Sequence, residues 1–178
     1  MSISSSWIHG NALTIESPIR YGETGQEVTR LILTPSGQGA WVSTERGGIT
    51  SWMHLPIPTI YETTSRFERF ELLSISLLFE CWDSYIQFVH VYDGYEKIAE
   101  FNGVMDQGLG LTGNRLVKSN SNTFVLKKPH QVKRGIGLSF FFAADANASP
   151  AESLFVAAAC ADFRKRNILF GDLFRLSR

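Results

Sequence analysis

The sequence predicts an all-β fold, a single antiparallel β-sandwich of jelly-roll type, with an up-and-down β-barrel as the alternative. Three observations predict it. In residues 131–144, QVKRGIGLSFFFAA, the apolar Val132, Ile136, Leu138, Phe140 and Phe142 take alternate positions while Gly135, Gly137 and Ser139 fill most of the others. That is the period of a strand with one buried face. Small residues on the opposite face let a second layer, a neighbouring backbone or a ligand come close. The same period recurs through Leu73, Ile75, Leu77 and Phe79 and through Leu154, Val156 and Ala158. No long segment shows the apolar stripe of a core helix.

Taken in order, strands are expected at residues 6–15 with a break near Gly10, then 28–34, 39–44, 49–55, 70–80, 85–92, 97–101, 122–127, 131–143 and 154–163. Turn chemistry separates them: Pro35-Ser36-Gly37-Gln38-Gly39, Gly47-Gly48, Asp93-Gly94 and Asn102-Gly103. Asp93-Gly94, between VHVY and YEKIAEF, predicts a tight hairpin of type I′, whose backbone twist matches that of paired strands. Residues 102–122 are rich in Gly and Asn and lack a sustained period, which predicts a long loop with room for one short strand around 115–118.

Length and composition narrow the function. A chain of 178 residues with zero formal net charge fits one domain around one core, spanning residues 1–163, and lacks the basic excess of a nucleic-acid binder. The first residues show no positive leader with an apolar core, and no apolar run approaches about 18 residues, so neither a signal peptide nor a membrane span is expected and the chain reads as cytoplasmic. Cys81 and Cys160 each follow an alternating apolar series and are too far apart for a metal spacing, which predicts buried free thiols and no disulfide framework.

Residues 164–178 differ from the rest. Arg164, Lys165, Arg166, Arg175 and Arg178 face only Asp172, so the segment carries +4 and the preceding 163 residues −4. With Phe170 and Phe174 four apart, it reads as an interaction tail that joins copies of the chain or docks a protein partner.

Motifs that would carry chemistry are weak. Gly108-Leu109-Gly110-Leu111-Thr112-Gly113 satisfies G-x-G-x-x-G, but no βαβ unit surrounds it and no Lys-Ser/Thr completes a P-loop, so it reads as loop. Gly39-Ala40-Trp41 matches a short lipocalin-like G-x-W without its context. Asp83, Asp93 and Asp106 could supply oxygens to Ca²⁺, yet without EF-hand spacing turn and surface roles explain them better. The four histidines form no close pair, so no metal site and no cofactor is expected. His9 and His54 lie two residues from Trp7 and Trp52, and His90 alternates with Phe88 and Tyr92. An aromatic ring beside a polar side chain on one strand face can stack and orient a sugar or another planar ligand, although Trp is also ordinary core. Trp7, His9, Trp52, His54, His90 and Tyr92 are therefore the candidate ligand-binding residues.

Trp7-Ile8-His9-Gly10-Asn11, Trp52-Met53-His54-Leu55-Pro56-Ile57-Pro58-Thr59, Val89-His90-Val91-Tyr92-Asp93-Gly94, Arg134-Gly135-Ile136-Gly137-Leu138-Ser139 and Ala161-Asp162-Phe163 resemble a bacterial family of uncharacterised function that opens on W-x-H-G-N. The resemblance implies a compact β-sandwich and no activity, and Ile60 stands where it would place a second proline. The function expected is a non-catalytic binding or assembly module that self-associates, with a small molecule or glycan as ligand. The alternatives are a cofactor-independent isomerase or cyclase with His90 or His54 as acid/base, and a lectin-like module stacking sugars on Trp7, Trp41 or Trp52.

Overall fold

The computed structural model describes residues 3–16, 19–21, 27–45, 47–59, 68–102, 111–147 and 151–167. The chain is all-β with antiparallel pairing, and its sheet is nearly closed into a barrel. The described residues form twelve strands: β1 (Ile3–His9), β2 (Thr14–Ile15), β3 (Ile19–Tyr21), β4 (Glu27–Pro35), β5 (Ala40–Thr44), β6 (Thr50–Ile57), β7 (Glu68–Asp93), β8 (Glu96–Asn102), β9 (Leu111–Arg115), β10 (Thr123–Gln131), β11 (Ile136–Ala144) and β12 (Ala151–Asn167). No helix among the described residues is long and apolar enough to cross a membrane.

β7 organises the rest. The sequence predicts two strands at 70–80 and 85–92, but the structure joins them into one strand of 26 residues. Drawn out flat, such a strand would reach roughly 85 Å, whereas a globule of this size has a radius of gyration of about 16 Å. The strand must therefore bend, and it does so at Asp83, whose φ of 46° is the only positive value at a described non-glycine residue. Before the bend β7 pairs β12, from Asn167↔Glu68 to Leu154↔Cys81. Beyond it β7 pairs β11, from Ala144↔Ser84 to Ile136↔Asp93. Asp145, between those two partners, donates its backbone N–H to the Asp83 carbonyl at 2.8 Å and fixes the split.

On the other edge of β7 lie β10, β9 and β8 in succession. β11 pairs onward to β6, and β12 to β5 and then to β1. The predicted break near Gly10 is a 3-10 turn, Gly10–Ala12, after which β2 pairs β6. β1 and β2 thus act as one interrupted strand that links β12 to β6. Gly10 fits there because it has no side chain: a Cβ would lie 1.8 Å from the Val156 carbonyl oxygen.

Inward residues fill one core that includes Leu77, Phe79, Met53, Leu55, Leu138, Phe140, Phe142, Leu154, Val156 and Phe163, each buried. In β11 the alternation holds: Ile136, Leu138, Phe140 and Phe142 are buried, while Gly137 and Phe141 face outward.

Several expectations need correction. The short strand placed at 115–118 is β9, Leu111–Arg115, so Gly113 of the G-x-G-x-x-G run belongs to a strand with φ of 72°, and residues 103–110 lie outside the described residues. β11 starts at Ile136 rather than 131, because Gln131 ends β10 and the residues between are held in a turn by Asp93. The β7-β8 hairpin turns on Gly94-Tyr95, with positive φ at Gly94 alone, the type II′ pattern in place of type I′. The last strand runs on through Arg164, Lys165 and Arg166 to Asn167, paired with the start of β7. Phe170 and Phe174 lie outside the described residues.

Candidate functional site

β11 is the central strand of a three-strand outer surface, with β6 on one side and β7 on the other. Register aligns its outward residues in rows: Gly137 opposite Pro56 and Tyr92, Ser139 opposite His54 and His90, Phe141 opposite Trp52 and Phe88. Cross-strand neighbours on one face stand close enough to touch. Because Gly137 and Ser139 are small, the bulky residues on the flanking strands border a depression. The result is an open groove of about 660 Å³ lined by Glu16, Trp52, His54, His90, Tyr92, Tyr95, Gly94 and Ser139.

Its side chains are arranged by short contacts. His90 packs tilted against the Trp52 ring, with centroids 4.6 Å apart, and meets Tyr92 edge-on at 6.3 Å. Trp52 is backed edge-on by Phe141 at 5.2 Å. His54 Nδ1 lies 2.8 Å from Ser139 Oγ, and its Nε2 lies 3.7 Å from Glu16 Oε2. Glu16 is brought in by β2, since its backbone N–H donates to the Trp52 carbonyl at 3.0 Å.

His90 Nε2 lies 3.6 Å from Glu100 Oε2 on β8. Burial lowers the His90 pKa and nearby Lys97 lowers it further, against the opposing pull of Glu100, so the imidazole is neutral at pH 7. Glu100 in turn is held below the ordinary carboxylate range by hydrogen bonds from Lys97 and Asn102. At the end of the groove, the guanidinium of Arg134 sits 4.4 Å over the Tyr95 ring and donates to its hydroxyl at 3.1 Å.

Four of the six candidate residues, Trp52, His54, His90 and Tyr92, therefore converge. Trp7 and His9 lie on β1 opposite Cys160 and Ala158. There Trp7 is exposed beneath the Lys118 ammonium, 5.9 Å from the ring centroid, and His9 Nδ1 accepts from the Asn11 backbone N–H at the 3-10 turn. Sequence reasoning missed Glu16, Tyr95 and Ser139 as lining residues. Only Ser139 carried a signal, as a small residue at an outward position of an aromatic strand.

No known protein family and no curated protein matches the chain. Among the described residues no cluster of three or more His, Cys, Asp or Glu side chains is placed to hold a metal. Both cysteines are buried, and burial pushes the Cys81 thiol up to about 12 and raises that of Cys160, so neither is poised as a nucleophile. Trp41 is stacked on Trp82 at 5.5 Å and packed against Phe155 at 4.5 Å, which occupies its ring with protein contacts.

Proposed function

We propose that the protein is a non-catalytic binding module that holds a small ring-bearing ligand, a sugar in the first place, in the groove over β6, β11 and β7. The observation that carries this reading is the convergence of Trp52, His54, His90 and Tyr92 around Ser139. Aromatic faces offer stacking surface, while two imidazoles and a hydroxyl offer donors and acceptors at the ring's edge. A volume of about 660 Å³ suits a mono- or disaccharide. The groove is open to water, and Tyr95 at its end is 82% exposed; retention of a ligand tolerates this better than chemistry that needs water excluded. The same reading keeps the chain in the cytoplasm, with the part of the expected tail beyond Asn167 joining copies of it.

The test is titration with a panel of glucose, galactose, N-acetylglucosamine and their disaccharides, followed by tryptophan emission and by histidine NMR signals. A binding sugar should shift the His54 and His90 resonances, and Trp52→Ala should weaken it roughly tenfold or more. Affinity should stay level from pH 8 to 6.5 and fall at lower pH as His90 takes up a proton. A panel that moves neither signal overturns the reading.

One observation favours a second reading: the Ser139-His54-Glu16 chain gives an imidazole that could relay a proton, as a cofactor-independent isomerase would need. Turnover of a bound sugar, abolished by His54→Gln with binding retained, would select it.

A further inference from the structure

We propose that a second cleft, between β8 and β10, binds a single-chain amphiphile with an anionic head, a free fatty acid. β8 and β10 both pair with the same edge of β7, one beyond its bend and one before it. Between them lies a cavity of about 610 Å³. Its wall is apolar and continuous with the core: Ile98, Ala99 and Phe101 pack against the core cluster, Leu126 is buried, and Phe101 meets Phe124 with ring centroids 5.3 Å apart. Apolar surface that the described residues leave open to the cavity gains by removal from water.

The rim supplies the charge. Lys127 and Lys128 line the cavity, are exposed, and have no ion-pair or hydrogen-bond partner among the described residues. Glu100, the one carboxylate in the lining, is already engaged by Lys97 and Asn102, so the two lysines are left to attract an anion. An apolar chain ending in a carboxylate satisfies both the wall and the rim.

An added peptide strand fits less well. The β10 ladder is irregular between Val125 and His130, and Pro129 offers no backbone N–H. Proline and lysines along an edge are features that discourage strand addition.

The experiment is calorimetric titration of the full chain with dodecanoate below its micelle concentration, beside dodecanol and an acidic, valine-rich peptide. Dodecanoate should bind and shift the backbone amide signals of residues 98–101, 126–128 and 130. Lys127→Glu with Lys128→Glu should weaken it roughly tenfold, and Leu126→Trp, checked for folding by circular dichroism, should block it. Absence of dodecanoate binding overturns the proposal. So does equal binding of dodecanol that ignores the charge reversal, or binding of the peptide in preference to dodecanoate.

Discussion

Asp93 is fully buried at the end of β7, and its carboxylate collects backbone N–H donors from Lys133 at 2.7 Å, Arg134 at 2.7 Å and Gly135 at 2.9 Å, with His130 Nε2 at 3.0 Å. Burial alone would raise its pKa, but the His130 and backbone hydrogen bonds outweigh burial and hold it at about 2. A depressed carboxylate stabilises the fold above its unfolded pKa, so about 2 kcal/mol is present above pH 4 and is lost as pH falls from about 4 to 2. Asp93→Asn should lower stability at pH 7 by about 2 to 4 kcal/mol and flatten that acid limb, as read by urea unfolding across pH 2 to 7. In the sequence Asp93 is legible only as a turn residue. Its partners lie about forty positions away, and no local pattern announces a capture by such distant N–H groups.

At the scale of elements, alternation reveals a strand's face but not which strands adjoin. Residues 70–80 and 85–92 read as separate strands because Trp82-Asp83-Ser84 interrupts the period. Continuity of β7 through Asp83 depends on Asp145 supporting the bend from outside. The groove was half legible for the same reason. Trp52 with His54, and His90 with Tyr92, each share a strand face; only pairing through β11 brings the two sets together. The interrupted strand β1-β2 gives the sharpest test. Its Gly10 lies against the Val156 backbone, and a Cβ there meets the carbonyl oxygen at 1.8 Å, too close for any rotamer to relieve. Gly10→Ala should destabilise by about 3 kcal/mol or more through forced backbone displacement, measured by thermal or denaturant unfolding.

Across the whole molecule, one core and one shared strand tie the first and last described strands into the same cooperative unit. β1 pairs β12 from Ile3↔Arg164 to His9↔Ala158, a closure that spans nearly the entire sequence. Such non-local pairing places folding in the range of roughly milliseconds to seconds. Thermal unfolding followed by circular dichroism and by tryptophan emission should give coincident transitions, and deletion of residues 1–9 should lower the midpoint by at least about 10 °C. The antiparallel all-β class was visible in periodicity, with a barrel as the alternative to a sandwich; periodicity did not show the pairing of β2 with β6 at Thr14↔His54 and Ile15↔Met53 on which the near-closure rests.

The pairing of β1 with β12 also sets how the protein responds to force. Ile3 at the start of β1 lies beside Arg164 of β12, so tension drawn between these two residues opens the seven rungs of the pair one at a time. Strands loaded in opposite directions along their length would instead resist with all rungs together. The fold is therefore soft to traction applied at Ile3 and Arg164, whatever its resistance to heat.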